Sequence, residues 1–173
     1  MSDADDRRAV VVAGHTSHPS ATVRAASIGA LERLGVLGND EINRLLDPSL
    51  EPEPAVRRRA TEAGALHPGA AVHLALADPE WSVVEMACWA IGEHETADTA
   101  TIARLIDLAG SHEEPLVREA AVAALGAVGD PRGLDAIITA ATHDKPAVRR
   151  RAAVALAPFE DPRADDTLRT LLS

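Results

Sequence analysis

The sequence has very few aromatic residues and almost no cysteine. Its 173 residues include no tyrosine and only three aromatic side chains, Trp81, Trp89 and Phe159. The single cysteine, Cys88, cannot form an internal disulfide or a thiolate metal cluster, which excludes a disulfide-stabilised secreted fold. No uncharged apolar run reaches the roughly 18 residues that a membrane-spanning helix needs. We therefore expect a globular protein without a membrane span.

Acidic residues outnumber basic ones, 27 against 17, which gives a formal net charge of −10. This charge disfavours nucleic acids and anionic membranes as partners, and it favours a basic or neutral protein or peptide. Three of the first six residues are aspartates, and this segment lacks the apolar core of a signal peptide, so we expect a cytoplasmic location.

Alanine is abundant, with 35 copies, and its placement is periodic. Five segments align without gaps, each led by a valine: Val23, Val56, Val83, Val117 and Val148. The fourth residue after this valine is alanine or serine, the seventh is always alanine, and the eighth is apolar or glycine. These positions form the apolar stripe of an α-helix, and their small side chains allow a neighbouring helix to approach closely.

Helix boundaries are marked by proline, aspartate and glycine. A proline precedes each valine-led helix, where its missing N–H costs nothing. Aspartates before proline, at positions 78, 130 and 161, are expected N-caps, and Gly35, Gly110 and Gly129 are expected helix ends. Shorter apolar segments lie between the valine-led helices. The pattern predicts stacked helix pairs at residues 4–35, 38–66, 69–94, 97–129 and 131–158, followed by a helix at 161–172.

The segment EPLVREAAVAALGAVGDPR, residues 114–132, closely resembles the consensus of HEAT-like repeats of the phycobilisome-lyase type. The resemblance covers nearly the whole chain, is strongest at 112–158 and is weakest before residue 20. It implies that the valine-led helix is the second of each pair and lines a concave side. It also implies that an acidic residue before such a helix pairs with the arginine that follows the valine in the same or a neighbouring repeat. Asp144 with Arg149, and Glu113 or Glu114 with Arg118, fit that pattern. Repeat three departs from this pattern because Val84 replaces the arginine.

We therefore expect one domain over residues 1–173, an all-α, right-handed α-solenoid of about five HEAT-like helix pairs plus a C-terminal helix. Leu168, Leu171 and Leu172 give that last helix one apolar face. This face could cap the core or mediate self-association.

A candidate binding surface lies opposite the core stripe of the valine-led helices. In repeat three this face carries Trp81, Glu85 and Trp89, spaced four residues apart. Around them we expect Arg58, Glu62, Glu119 and Arg150 to set the register of a bound segment. Two indoles beside a carboxylate suit a cationic side chain. Alternatively, the tryptophans fill irregular space between repeats.

These features favour a non-catalytic protein-binding scaffold or adaptor that needs no cofactor and no metal. The alternative is an enzyme on a HEAT-like scaffold, similar to an alkylpurine DNA glycosylase, a metal-dependent hydroxylase or a bilin lyase. The arginine triplets at 57–59 and 149–151 are either a phosphate-binding stripe or one structural arginine plus two solvated ones. The pairs His94-Glu95 and His112-Glu113 lie outside the expected helices, so we expect no metal centre there. Cys88 is expected to be buried and inert, with Glu85 raising its pKa.

Overall fold

The computed structural model describes residues 14–172, and the side chains of residues 14–171. The predicted segment 4–13 of the first helix pair therefore lies outside the described residues, as does the side chain of Leu172. All regular structure in the described part is helical. Its α-helices are α1 (Ala21–Arg33), α2 (Asn39–Leu46), α3 (Pro54–Gly64), α4 (Trp81–His94), α5 (Thr99–Ser111), α6 (Pro115–Val128), α7 (Leu134–His143), α8 (Pro146–Ala155) and α9 (Pro162–Leu172). Short 3-10 helices span His15–Ser17, Val72–Ala77 and Pro131–Gly133.

The five valine-led segments form α1, α3, α4, α6 and α8, and each helix starts two residues before its valine. Proline occupies the first turn of α3, α6 and α8, as predicted. These five helices stack in chain order, and α2, α5 and α7 form the other layer. Four of the five lead valines are fully buried between the layers: Val56, Val83, Val117 and Val148. The prediction of an all-α solenoid is confirmed.

The first element of repeat three differs from a full helix. Where a helix pair was expected at 69–94, the chain forms only the 3-10 helix Val72–Ala77 before α4. This segment lies between Pro68 and Pro79.

Two of the three expected glycine stops are confirmed. Gly35 and Gly129 adopt the left-handed conformation, with φ of 66° and 67°, directly after α1 and α6 have ended. The prediction for Gly110 was wrong, because α5 continues to Ser111. The end of α4 is also left-handed, but at Glu95 instead of a glycine (φ 54°).

The valine-led helices approach closely where their residues are small. A Cβ atom placed on Gly126 would lie 2.6 Å from Cβ and 2.8 Å from Cα of Ala155, so α6 touches the backbone of α8. Gly92, at the equivalent position of α4, is less crowded, since its Cβ would meet Cα of Ala124 at 3.5 Å. The alanine excess therefore serves helix–helix contact.

Bidentate ion pairs join consecutive repeats. The arginine after the lead valine donates from Nε and Nη2 to both carboxylate oxygens of an acidic residue in the loop of the next repeat. We call this series the arginine ladder. Its members are Arg24–Glu51 (2.6 and 2.7 Å), Arg57–Asp78 (2.7 and 2.9 Å) and Arg118–Asp144 (2.7 and 2.6 Å).

The same arginines also close their own loops. Nη1 of Arg57 donates to the carbonyl oxygens of Glu51 and Pro52, both at 2.9 Å. Nη1 of Arg118 likewise donates to His112 and Glu113, at 2.7 and 3.1 Å. Each of these guanidinium groups therefore holds together the loop before its own helix and the loop of the following repeat.

The arginines pair with acids of the neighbouring repeat, one of the two arrangements that the resemblance implied, and the residue pairs named for the same repeat were wrong. Asp144 pairs with Arg118 of the preceding repeat, and Arg149 donates to the backbone oxygen of Asp144 at 2.9 Å. The arginine side chain reaches across the repeat boundary, so its own loop supplies carbonyl groups and the next loop supplies the carboxylate. Asp130 and Asp161 accept N–H bonds at helix starts as expected, but the N-cap residue of α4 is Glu80, not Asp78.

The ladder also fixes the protonation of its acids. The hydrogen bond from Arg118 is the main reason that the pKa of Asp144 lies below its ordinary value. Burial alone would raise the pKa of Glu51, but the bonds from Arg24 and the Glu53 N–H outweigh it and lower that pKa. Both carboxylates are therefore charged at neutral pH.

The C-terminal helix α9 packs on α7. Ala164 is buried, Leu168 is half-buried against the core, and Arg163 pairs with Asp135 at 2.6 Å. Leu171 stays 39% exposed.

Removing a buried ladder arginine should cost far more stability than removing its neighbour. In Arg57→Ala, the carboxylate of Asp78, whose side chain is 1% exposed, loses its partner, so we expect a loss of about 3–5 kcal/mol. The matched variant Arg58→Ala loses an exposed contact of 3.7 Å and should cost under about 1 kcal/mol. Urea unfolding followed by circular dichroism measures both, and equal losses would contradict the structural role of the ladder.

Equivalent glycines in α4 and α6 should respond oppositely to alanine. Gly126→Ala forces a methyl group against the backbone of Ala155 and should destabilise by about 1–3 kcal/mol. Gly92→Ala meets ordinary contact distances and should be neutral or stabilising by up to about 1 kcal/mol, because alanine favours the helix. Thermal unfolding of the two variants makes the comparison, and a stabilised Gly126→Ala would show that the helices are not in close contact there.

Candidate functional site

A cleft of about 440 Å³ opens between α4 and α6. We call it the groove cleft. Trp89 and Leu116 expose 43% and 52% of their surfaces and provide its large apolar side chains. The full lining is Glu85, Trp89, Gly92, Glu93, Leu116, Glu119, Ala120, Ala123, Ala124, Ala127 and Arg151.

The helical repeat explains why these residues share a surface. Glu85, Trp89 and Glu93 are spaced four residues apart on α4 and lie on one face. On α6 the corresponding face consists mostly of alanines, so part of the cleft is lined by small side chains. A long indole on one wall and small residues on the other create the depression.

The groove cleft is acidic. Its lining has three carboxylates, Glu85, Glu93 and Glu119, against one guanidinium, that of Arg151. Nε of Arg151 lies 3.5 Å from Oε1 of Glu119, and Nη2 of Arg58 lies 3.7 Å from Oε2 of Glu85. These long and partly exposed pairs hold the carboxylates weakly. A cationic group from another molecule could therefore compete for them.

The structure brings only part of the expected surface together. Glu85, Trp89 and Glu119 line the groove cleft, and Arg58 reaches it through Glu85. Glu62 pairs with Arg59 at 2.7 Å, and Arg150 is exposed on α8 outside the lining.

Trp81 is separated from Trp89. It is the first residue of α4 and lines a different cleft, together with residues of α5 and of the loop before α6. Both indoles remain partly exposed, at 39% and 43%, so neither is enclosed between repeats. The two tryptophans thus serve two different surfaces.

Sequence reasoning missed Leu116, Glu93 and Arg151. Leu116 stands one position before a lead valine, outside the apolar stripe of its helix. A large apolar residue at a position expected to face solvent was the available signal. Glu93 continues the four-residue spacing of Glu85 and Trp89. Arg151 was grouped with the arginine triplets, whose members prove to have separate partners: in the first triplet Asp78, Glu85 and Glu62.

Cys88 is fully buried, as predicted. Burial, with the nearby charge of Glu85 as a smaller cause, raises the pKa of this thiol to about 12. It is therefore protonated at neutral pH and is a poor nucleophile.

Within residues 14–172, no three His, Cys, Asp or Glu side chains converge to hold a metal ion. Nε2 of His94 lies 3.0 Å from the carbonyl oxygen of Gly64, and Nδ1 of His112 accepts the N–H of Glu114. None of the helices described is both long and apolar enough to cross a bilayer.

The sequence model of the family described as HEAT repeats matches residues 70–140 and residues 102–173, together more than half of the chain. The chain belongs to the HEAT repeat family. No curated protein matches it. Among solved structures, it is similar to the crystal structure of an engineered protein, with 14% identity and a TM-score of 0.60 over 99% of this chain and 96% of that chain. At this identity the likeness shows the fold alone. The phycobilisome-lyase subtype stays a prediction.

Proposed function

We propose that this chain is a non-catalytic scaffold that binds a segment of another protein in the groove cleft. The observation that carries the proposal is that two exposed apolar side chains, Trp89 and Leu116, line the same cleft as the carboxylates of Glu85, Glu93 and Glu119. HEAT repeats are commonly used as interaction scaffolds, which supports this class of function.

The lining specifies the chemistry of the partner. An apolar side chain of the bound segment would pack between Trp89 and Leu116, over the alanines of α6. A lysine or arginine beside it would meet Glu85, Glu93 or Glu119, whose combined charge exceeds that of Arg151. Arg58, Glu62 and Arg150 extend the same face toward the neighbouring repeats, where we propose that they set the register of the segment.

Trp81 lies in a separate cleft. The segment bound in the groove cleft therefore contacts Trp89 and does not contact Trp81. The exposed Leu171 of α9 is the candidate contact for self-association.

Selection from a random peptide library on the wild-type chain tests the proposal. We expect enrichment of sequences that place an aromatic or aliphatic residue beside lysine or arginine. Affinity for the selected peptide should fall at least about 30-fold in Trp89→Ala, since a central interface anchor contributes about 2 kcal/mol or more. It should fall similarly in the double variant Glu85→Gln/Glu119→Gln. Calorimetric titration provides the numbers.

Two matched controls localise the binding. Leu74→Ala removes a more exposed apolar side chain (63%) outside the cleft, and Trp81→Ala removes the other indole. Both variants should bind like the wild type. Peptides that bind Trp89→Ala undiminished, or a library that yields no binder, would contradict the proposal.

A further inference from the structure

The arginine ladder is interrupted once inside the solenoid. Repeats one, two and four carry Arg24, Arg57 and Arg118 after the lead valine, but repeat three carries Val84, which is 3% exposed. We call each arginine–carboxylate pair of the ladder a rung. No rung therefore joins the loop of repeat three to the loop of repeat four.

The backbone acceptors for a guanidinium are nevertheless present at this place. The carbonyl oxygens of Asp78 and Pro79 correspond to those of Glu51 and Pro52, which both accept from Nη1 of Arg57 at 2.9 Å. Within residues 14–172, no side chain donates to the carbonyl oxygens of Asp78 and Pro79.

A carboxylate for the missing rung is present as well. The loop of repeat four reads His-Glu-Glu-Pro (112–115), and the loop of repeat five reads His-Asp-Lys-Pro (143–146). Glu113 thus occupies the position of Asp144, the acid that binds Arg118 through two hydrogen bonds. Neither Glu113 nor Glu114 has a basic group within ion-pair distance among the described residues.

A cleft of about 420 Å³ lies between these two loops. We call it the ladder-gap cleft. It is bordered by both loops, by Trp81 at the start of α4 and by the last turns of α5. The end of α5 contributes the partial negative charge of a helix C-terminus, and the starts of α4 and α6 contribute the partial positive charge of helix N-termini.

The charges around the ladder-gap cleft leave an excess of two negative groups. Asp78 is neutralised by Arg57. Arg104 is paired with Asp107 and also donates to the Leu76 carbonyl oxygen at 3.3 Å, so it is already engaged. Glu113 and Glu114 remain, which are also part of the lining.

We propose that the ladder-gap cleft binds the guanidinium group of an arginine side chain from a partner polypeptide, which supplies in trans the rung that Val84 omits. The equivalent loop carbonyl oxygens of repeats one, two and four each accept hydrogen bonds from a guanidinium group. A planar fork would donate to the Asp78 and Pro79 carbonyl groups and to Glu113, and its face would stack on Trp81. The inference does not rest on the groove cleft, whose residues are different.

Nuclear magnetic resonance titration tests this proposal with a defined probe, the capped peptide acetyl-Gly-Arg-Gly-amide, at low ionic strength. We expect saturable shifts of the amide signals around residues 78–81 and 112–114. The isosteric citrulline peptide, which lacks the charge, should produce no saturable shift, and the lysine peptide should bind at least about fivefold more weakly because it cannot donate as a fork.

Variants distinguish binding of the arginine peptide in the ladder-gap cleft from nonspecific attraction to an acidic protein. Glu113→Gln and Trp81→Ala should each weaken binding of the arginine peptide at least about fivefold. Glu160→Gln, which changes an exposed acid at the far end of the chain, and Leu74→Ala, which removes an exposed apolar side chain outside both clefts, should bind like the wild type. Val84→Arg should abolish the shifts, since an internal arginine would complete the rung with Glu113.

Each outcome decides the matter. Shifts spread over exposed carboxylates, equal binding of the lysine peptide, or binding unaffected by Glu113→Gln would overturn the proposal. If Val84→Arg does not fold, Glu113→Gln still provides the test, because Glu113 is not part of the buried core. Failure of groove-cleft peptides to bind would leave these results unchanged, so the two proposals fail separately.

Discussion

The bidentate pairing of an arginine with a carboxylate of the next repeat is the interaction on which the architecture depends. Close contacts between small residues, as at Gly126 and Ala155, hold neighbouring helices together along their length. The guanidinium adds a second constraint at the loops. It holds two carbonyl groups of its own loop and two oxygens of the following loop, as Arg118 does with His112, Glu113 and Asp144. Three of the four boundaries between repeats are set in this way at the loop edge of the solenoid, whereas repeats three and four are joined by the packing of α4 on α6.

The two candidate surfaces follow from departures in one repeat. Helix α4 carries Trp81, Val84 and Trp89, all of which differ from their equivalents elsewhere in the chain. Val84 leaves the loop edge open, and Trp81 forms a wall of the opening. Trp89 faces the alanines of α6 and makes the other cleft. The neighbouring helices α3 and α6 keep the repeat pattern and pack against α4 on either side.

Sequence reasoning succeeded where one local signal decides the outcome. The lead valines, the early prolines and the small residues predicted the bounds of the valine-led helices to within three residues, because helical periodicity depends on a single chain segment. The face of Glu85, Trp89 and Glu119 followed from the same arithmetic.

The predictions that were wrong concern features that depend on more than one segment of the chain. The pairing of Asp144 depends on how far one repeat is displaced from the next, which no single segment encodes. Glycine often ends a helix, but α5 continues past Gly110 and ends at Ser111, four residues before Pro115. The separation of Trp81 from Trp89 depends on the neighbouring loop and α5, not on the face of α4 alone.

A double-mutant cycle on Arg118 and Asp144 tests the central claim most directly. The account predicts that Arg118→Ala and Asp144→Ala together destabilise less than the sum of the single variants, with a coupling of about 1–3 kcal/mol in urea unfolding. A coupling within about 0.5 kcal/mol of zero would show that the two repeats are held together by helix packing alone.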